Sequence, residues 1–136
     1  MKRVVLDTSA LFTLIENEEG CEYIEQLIEG ALKDEYQLYL SVIAKIELYY
    51  ISVQEQSVEV AKKRMELIDD LPINIIEVKE NLIETIGNYK ANYSISFADS
   101  CIAGQAKSLN AELVHKDPEY EQLEDNIAIK SLPYKT

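Results

Sequence analysis

Short β-rich runs alternate with amphipathic helical blocks along nearly the whole chain, and few architectures accept that order. Lys2 to Leu6 carries Val4-Val5-Leu6 and ends at the turn-like Asp7-Thr8-Ser9, so it is expected to be a buried strand. Residues 9–16 follow as a short helix, and residues 18–33 repeat apolar positions at helical spacing through Cys21, Ile24, Leu27, Ile28 and Ala31. Residues 37–41 form a second strand candidate, with Ser41 as the N-cap of a helix over 42–54. A helix over 57–70 is stopped at Leu71-Pro72. Strands are expected over 73–78 and 111–115, helices over 79–91 and 97–109, and a late strand over 127–129. Alternation of this kind predicts an α/β fold, a three-layer α/β/α sandwich with a central, mostly parallel sheet. The 136 residues suit a single domain, and a hydrophobic fraction of 47% is too high for a disordered chain.

Four acids interrupt this pattern at places an α/β fold would bring together. Asp7 and Asp117 each follow an apolar strand candidate. In an open parallel sheet, ligands bind beyond the carboxyl ends of the strands, and both residues are expected on that edge. Asp99 opens the helical pattern Asp99-Ser100-Cys101-Ile102-Ala103, where free N–H groups and the helix dipole favour negative charge. Glu47 sits nearly two turns past Ser41, and is expected on the apolar side of its helix with Ile43 and Ile46 as neighbours. Acids in such positions are costly to desolvate unless they are paired or bind a metal, and a hard divalent cation answers that cost with oxygen ligands. Each acid also has a plainer reading: a helix cap for Asp7 or Asp99, a pair with Lys45 for Glu47, a turn before Pro118 for Asp117.

The formal net charge of −12 counts against a broad electrostatic grip on nucleic acid. A local patch from Lys2, Arg3, Lys45, Lys90, Lys107 and Lys116 would offset it, as would bound metal. Cys21 and Cys101 form no framework and are expected as buried free thiols, compatible with a reducing cytoplasmic location. An acid at position 7 is foreign to an ordinary signal peptide, and no window approaches 18 apolar residues, so no membrane span is expected.

Taken in order, the motifs resemble those of PIN-domain proteins. Val4-Val5-Leu6-Asp7-Thr8-Ser9-Ala10-Leu11 is similar to the opening motif, and Ser41 followed by Glu47-Leu48 to the second. Phe97-Ala98-Asp99-Ser100-Cys101-Ile102-Ala103 resembles the third, and Glu112 to Tyr120 the fourth, a strand ending in an acid and then a short helix. The resemblance covers nearly the whole chain. It implies an α/β/α ribonuclease using Mg²⁺ or Mn²⁺, with Asp7, Glu47, Asp99 and Asp117 as the metal-site acids and Ser9 as the small residue that supports them. It also implies an RNA substrate and, because many small members are toxins of VapBC-type pairs, a homodimer and an antitoxin partner. Two departures stand out. His115 occupies the place where the fourth motif often has Thr, and Ser100 the place where the third often has Ala. As the only histidine, His115 is expected to be structural, to orient Asp117, or to contact substrate.

Two other readings compete. One is a catalytically inactive PIN-like module that binds RNA or protein. The other is phosphoryl transfer through a strand-end aspartate, but the second Asp that haloacid-dehalogenase-like phosphatases carry two residues on is Ser9 here, and the acidic pair and late Lys of receiver domains find no match.

Overall fold

A computed structural model of the protein describes residues 1–135. Five strands make one sheet: β1 (Lys2–Leu6), β2 (Tyr36–Ser41), β3 (Ile73–Ile76), β4 (Glu112–His115) and β5 (Ile129–Ser131). Their order across the sheet is β3-β2-β1-β4-β5, and every pairing is parallel. Val4, Val5 and Leu6 are successive residues and so point to opposite faces, yet all three have no exposed surface. Both faces of the central strand must therefore be covered.

The helices do this. α1 (Thr8–Ile15) and α2 (Cys21–Leu32) join β1 to β2; α3 (Val42–Glu55) and α4 (Val58–Asp69) join β2 to β3. α5 (Ile83–Asn92) and α6 (Phe97–Leu109) return the chain across two strands to β4. The first two crossovers run one way along the sheet and the third runs back. Right-handed crossovers then put α1–α4 on one face and α5–α6 on the other. The packing agrees, with α2 against β2, and α6 against β1 and β4. The three-layer parallel architecture expected from the alternation is the one observed.

Several boundaries shift from the sequence expectation, α2 starting at Cys21 rather than at residue 18 among them, and three of the shifts have a local reason. β3 stops at Ile76, not at residue 78, because its partner β2 ends at Ser41, opposite Ile76, and turns there into α3. The helix expected over 79–91 opens with a separate 3₁₀ turn, Glu80–Leu82, before α5. The late strand begins at Ile129, because the N–H groups of Asn126 and Ile127 are used in closing the turn on Leu123. Cys21 and Cys101 are buried free thiols, as expected. Among the described residues, no helix is long and apolar enough to cross a membrane.

Candidate metal centre

The strand order reverses direction at β1, so the crevice between β1 and β4 opens at their carboxyl ends. Asp7 leaves β1 directly into it, and Asp117 lies two residues past β4. All five residues singled out in the sequence, Asp7, Ser9, Glu47, Asp99 and Asp117, line one cleft of about 590 Å³ at this edge.

Asp7 is only 1% exposed and is the N-cap of α1, accepting from the Ala10 N–H at 2.8 Å. The Ser9 hydroxyl donates to the same carboxylate, 2.7 Å from Oδ1 and 2.9 Å from Oδ2, and accepts from the Lys116 N–H at 2.8 Å. Ser9 thus ties the exit of β1 to the exit of β4. Burial pushes the Asp7 carboxyl up to about 7. The Ala10 and Ser9 hydrogen bonds oppose that rise without cancelling it, and Asp117 nearby adds to it. Asp7 therefore both caps α1 and lines the cleft.

Asp99 is the third residue of α6, whose N-cap Ser96 accepts from the Asp99 N–H at 3.1 Å. The side chain is 8% exposed, and the Tyr120 hydroxyl donates to its Oδ1 at 2.9 Å. Its pKa is raised, first by burial and then by a hydrogen-bonding contact with Glu119.

Asp117 is half-buried; its Oδ1 accepts from the Glu119 N–H at 3.0 Å and caps the following 3₁₀ turn, Pro118–Leu123. Its own N–H donates to His115 Nδ1 at 3.1 Å. His115 has no exposed surface, and burial lowers its pKa, so the ring is neutral with its proton on Nε2. It does not line the cleft. Among the roles expected for His115, the geometry matches the one of orienting Asp117, through the hydrogen bond to its backbone N–H.

Glu47 corrects one detail of the sequence reading. The buried stripe of α3 is Ala44, Leu48 and Ser52, while Ile46 is 54% exposed and Ile43 packs separately beside Leu82, Ile86 and Cys101. Glu47 lies beside that buried stripe, on a row with Ile51 and Glu55 that faces the cleft. It is half-buried and accepts from the Thr8 hydroxyl at 2.6 Å. Lys45 is 2.6 Å from Asp69, so it is not the partner of Glu47.

The tightest acid cluster was only partly foreseen. Asp99, Asp117 and Glu119 each bring a carboxylate oxygen within 4.8 Å of the others. Asp7 and Glu47 share the cleft but stand outside that trio. Glu119 is not among the acids expected from the sequence; its signal there is its position two residues past a strand-end acid, within a turn. Tyr120 and Thr8, which hold Asp99 and Glu47, are not among the expected residues either, because their hydrogen bonds span 21 and 39 residues of chain.

Of the basic residues expected to form a patch, Lys2, Arg3, Lys45 and Lys107 do not line the cleft, and Lys116 does. Lys2 pairs with Glu112 and Arg3 donates to the Leu109 carbonyl, at the far end of the sheet from the cleft. Lys45 pairs with Asp69, and Lys107 donates to the Asn126 carbonyl. Two cations do line the cleft, but Lys116 donates to the Glu19 carbonyl at 2.6 Å and Lys135 lies 2.7 Å from Glu18. Among the described residues, no Lys or Arg lies within ion-pair distance of Asp7, Glu47, Asp99, Asp117 or Glu119. The site is thus a set of carboxylate oxygens, partly desolvated and without a protein counter-charge. That donor set fits a hard divalent cation such as Mg²⁺ or Mn²⁺, and lacks the nitrogen and sulfur ligands that softer ions select.

The PIN domain family model matches residues 4–126. No curated protein matches the chain by sequence. Solved structures do match in fold. VapBC2 from Rickettsia felis, bound to a DNA fragment from its promoter, has a chain that superposes with a TM-score of 0.78 at 18% identity, covering 96% of this chain and 99% of that one. DNA-bound VapBC from Salmonella typhimurium gives 0.76 at 20% identity, covering 96% and 98%. Mycobacterium tuberculosis VapC20, described as a toxin that cleaves the sarcin–ricin loop, gives 0.71 at 11% identity, covering 88% and 93%.

Proposed function

The chain belongs to the PIN domain family, and on that footing we propose that it is a metal-dependent endoribonuclease, the toxin of a type II toxin–antitoxin pair, built as one PIN domain. The observation that carries this reading is the cleft in which Asp7, Glu47, Asp99, Asp117 and Glu119 gather with no basic side chain within ion-pair distance of any of them among the described residues. Asp7, Glu47, Asp99 and Asp117 are assigned to one or two Mg²⁺ or Mn²⁺ ions, and Glu119 joins them through its place in the oxygen cluster. A divalent ion supplies Lewis acidity toward water and toward a phosphate oxygen.

The rest is the work of the chain's own side chains. Ser9 holds the Asp7 carboxylate, Thr8 holds that of Glu47, and the caps at Asp7 and Asp117 fix both acids against turning into bulk water. The row Glu47-Ile51-Glu55 forms one wall of the cleft, and a single RNA strand is the proposed substrate along it. The antitoxin is proposed as a protein partner in the cytoplasm. A homodimer is proposed through the exposed Ile46, Tyr49 and Tyr50 on α3, at 54%, 36% and 44% exposure.

The test is cleavage of a single-stranded RNA in Mn²⁺ by wild type, Asp7→Asn and Asp99→Asn. Both variants should fold, keep the shape of the site and lose activity. Full activity in either would overturn the assignment. RNA binding without cleavage by the wild type would point instead to a non-catalytic module.

A further inference from the structure

We propose that Tyr120 is a positioning residue for the metal centre, its buried hydroxyl fixing one oxygen of Asp99 and its ring bracing the residue that fixes Asp117. The inference rests on the metal-site reading above. Tyr120 has no exposed surface and is among the largest fully buried side chains of the protein. Packing does not need its oxygen, because Phe would fill the same space. A buried phenol must nevertheless find an acceptor, and this one finds Asp99 Oδ1 at 2.9 Å.

The geometry on the other side of the ring completes the argument. Tyr120 lies against His115, with ring centroids 5.0 Å apart and an interplanar angle of 53°. His115 in turn accepts the Asp117 N–H. One ring pair therefore touches two of the three acids of the tight cluster, Asp99 through a hydroxyl and Asp117 through its backbone. A neutral phenol donates its one proton to a carboxylate, so it fixes which Asp99 oxygen faces the ring and leaves the other free toward the cluster. Free rotation of the Asp99 side chain is also lost before the ion arrives. Hydrogen bonds of this kind, made to a ligand by a neighbour, set both its orientation and its affinity for metal.

Tyr120→Phe tests this in the full chain after chelation and dialysis. Mn²⁺ binding is read by the electron paramagnetic resonance signal of the free ion, and the chelated melting temperature of each protein serves as the fold control. The expected result is a dissociation constant about tenfold higher in the variant, with a melting temperature near that of wild type. In the cleavage assay, kcat should fall while KM for RNA holds, since Tyr120 is buried and touches no substrate. A Mn²⁺ dissociation constant within about twofold of wild type overturns the positioning role and leaves the metal site standing. A wild-type protein that binds no Mn²⁺ overturns both.

Discussion

Asp7 offers the sharpest quantitative test, because its burial sets a cost that only an ion or a proton removes. Its carboxyl is raised from 3.8 to about 7 in the folded protein, mainly by burial. Below pH about 4, folded and unfolded chains both carry the proton, and Asp7 costs nothing. Between about 4 and 7 the unfolded chain releases it while the folded one retains it, so the metal-free protein loses stability as pH rises. Above about 7 both states are ionised and the loss levels off. The shift of about three pH units, at about 1.36 kcal/mol each, gives roughly 4 kcal/mol. Asp7→Asn removes that loss. Asn caps helices about as well as Asp, and the forfeited charge–dipole attraction at the α1 N-terminus is worth about 0.3–1 kcal/mol. Burial wins the comparison. In chelator, urea denaturation should therefore find the two proteins equal near pH 4, and Asp7→Asn more stable by about 3 kcal/mol at pH 8. A variant less stable than wild type at pH 8 would refute the reasoning: Asp7 would then be a favourable capping charge, and the site would not be strained.

Two further outcomes follow from the same geometry. Mn²⁺ at a hundred times its dissociation constant should stabilise the wild type by about 2.7 kcal/mol, roughly 10 °C in melting temperature by differential scanning fluorimetry, and Asp99→Asn should lose most of that response. His115→Ala should destabilise the chelated protein by about 3 kcal/mol in denaturant titration, since it empties a fully buried ring site beneath Tyr120 and frees the Asp117 N–H; a loss under about 1 kcal/mol would show the ring to be dispensable.

Much of the architecture could be read from local pattern. The run Val4-Val5-Leu6 is apolar on both faces, so it announced a strand covered on both sides, and the helical spacing between such runs announced the crossovers. Ser41 was legible as a cap because its hydroxyl accepts from the N–H of Ile43, only two residues on. Asp7 and Asp117 were legible as edge acids because each follows a strand that ends in parallel order with the others. These features depend only on a residue and its near neighbours along the chain.

What the sequence could not decide was which elements become neighbours and how each helix is turned about its axis. Periodicity assigns faces within an element only to within about one residue, which is why Ile46 was expected inside and lies outside, while Glu47 turns toward the cleft rather than toward Ile46. The order β3-β2-β1-β4-β5 puts the exits of β1 and β4 side by side, and only that adjacency lets Ser9 bridge Asp7 to Lys116 across 107 residues of chain. The six basic residues looked like a patch as a list, yet strand direction sends Lys2 and Arg3 to the end of the sheet away from the site. Glu119 and Tyr120 reach Asp99 because a 3₁₀ turn folds them back over α6. Sequence thus determined the elements and the acids that end them. Tertiary packing decided which carboxylates share a cleft and which side chains hold them there, because those contacts join residues that no local period relates.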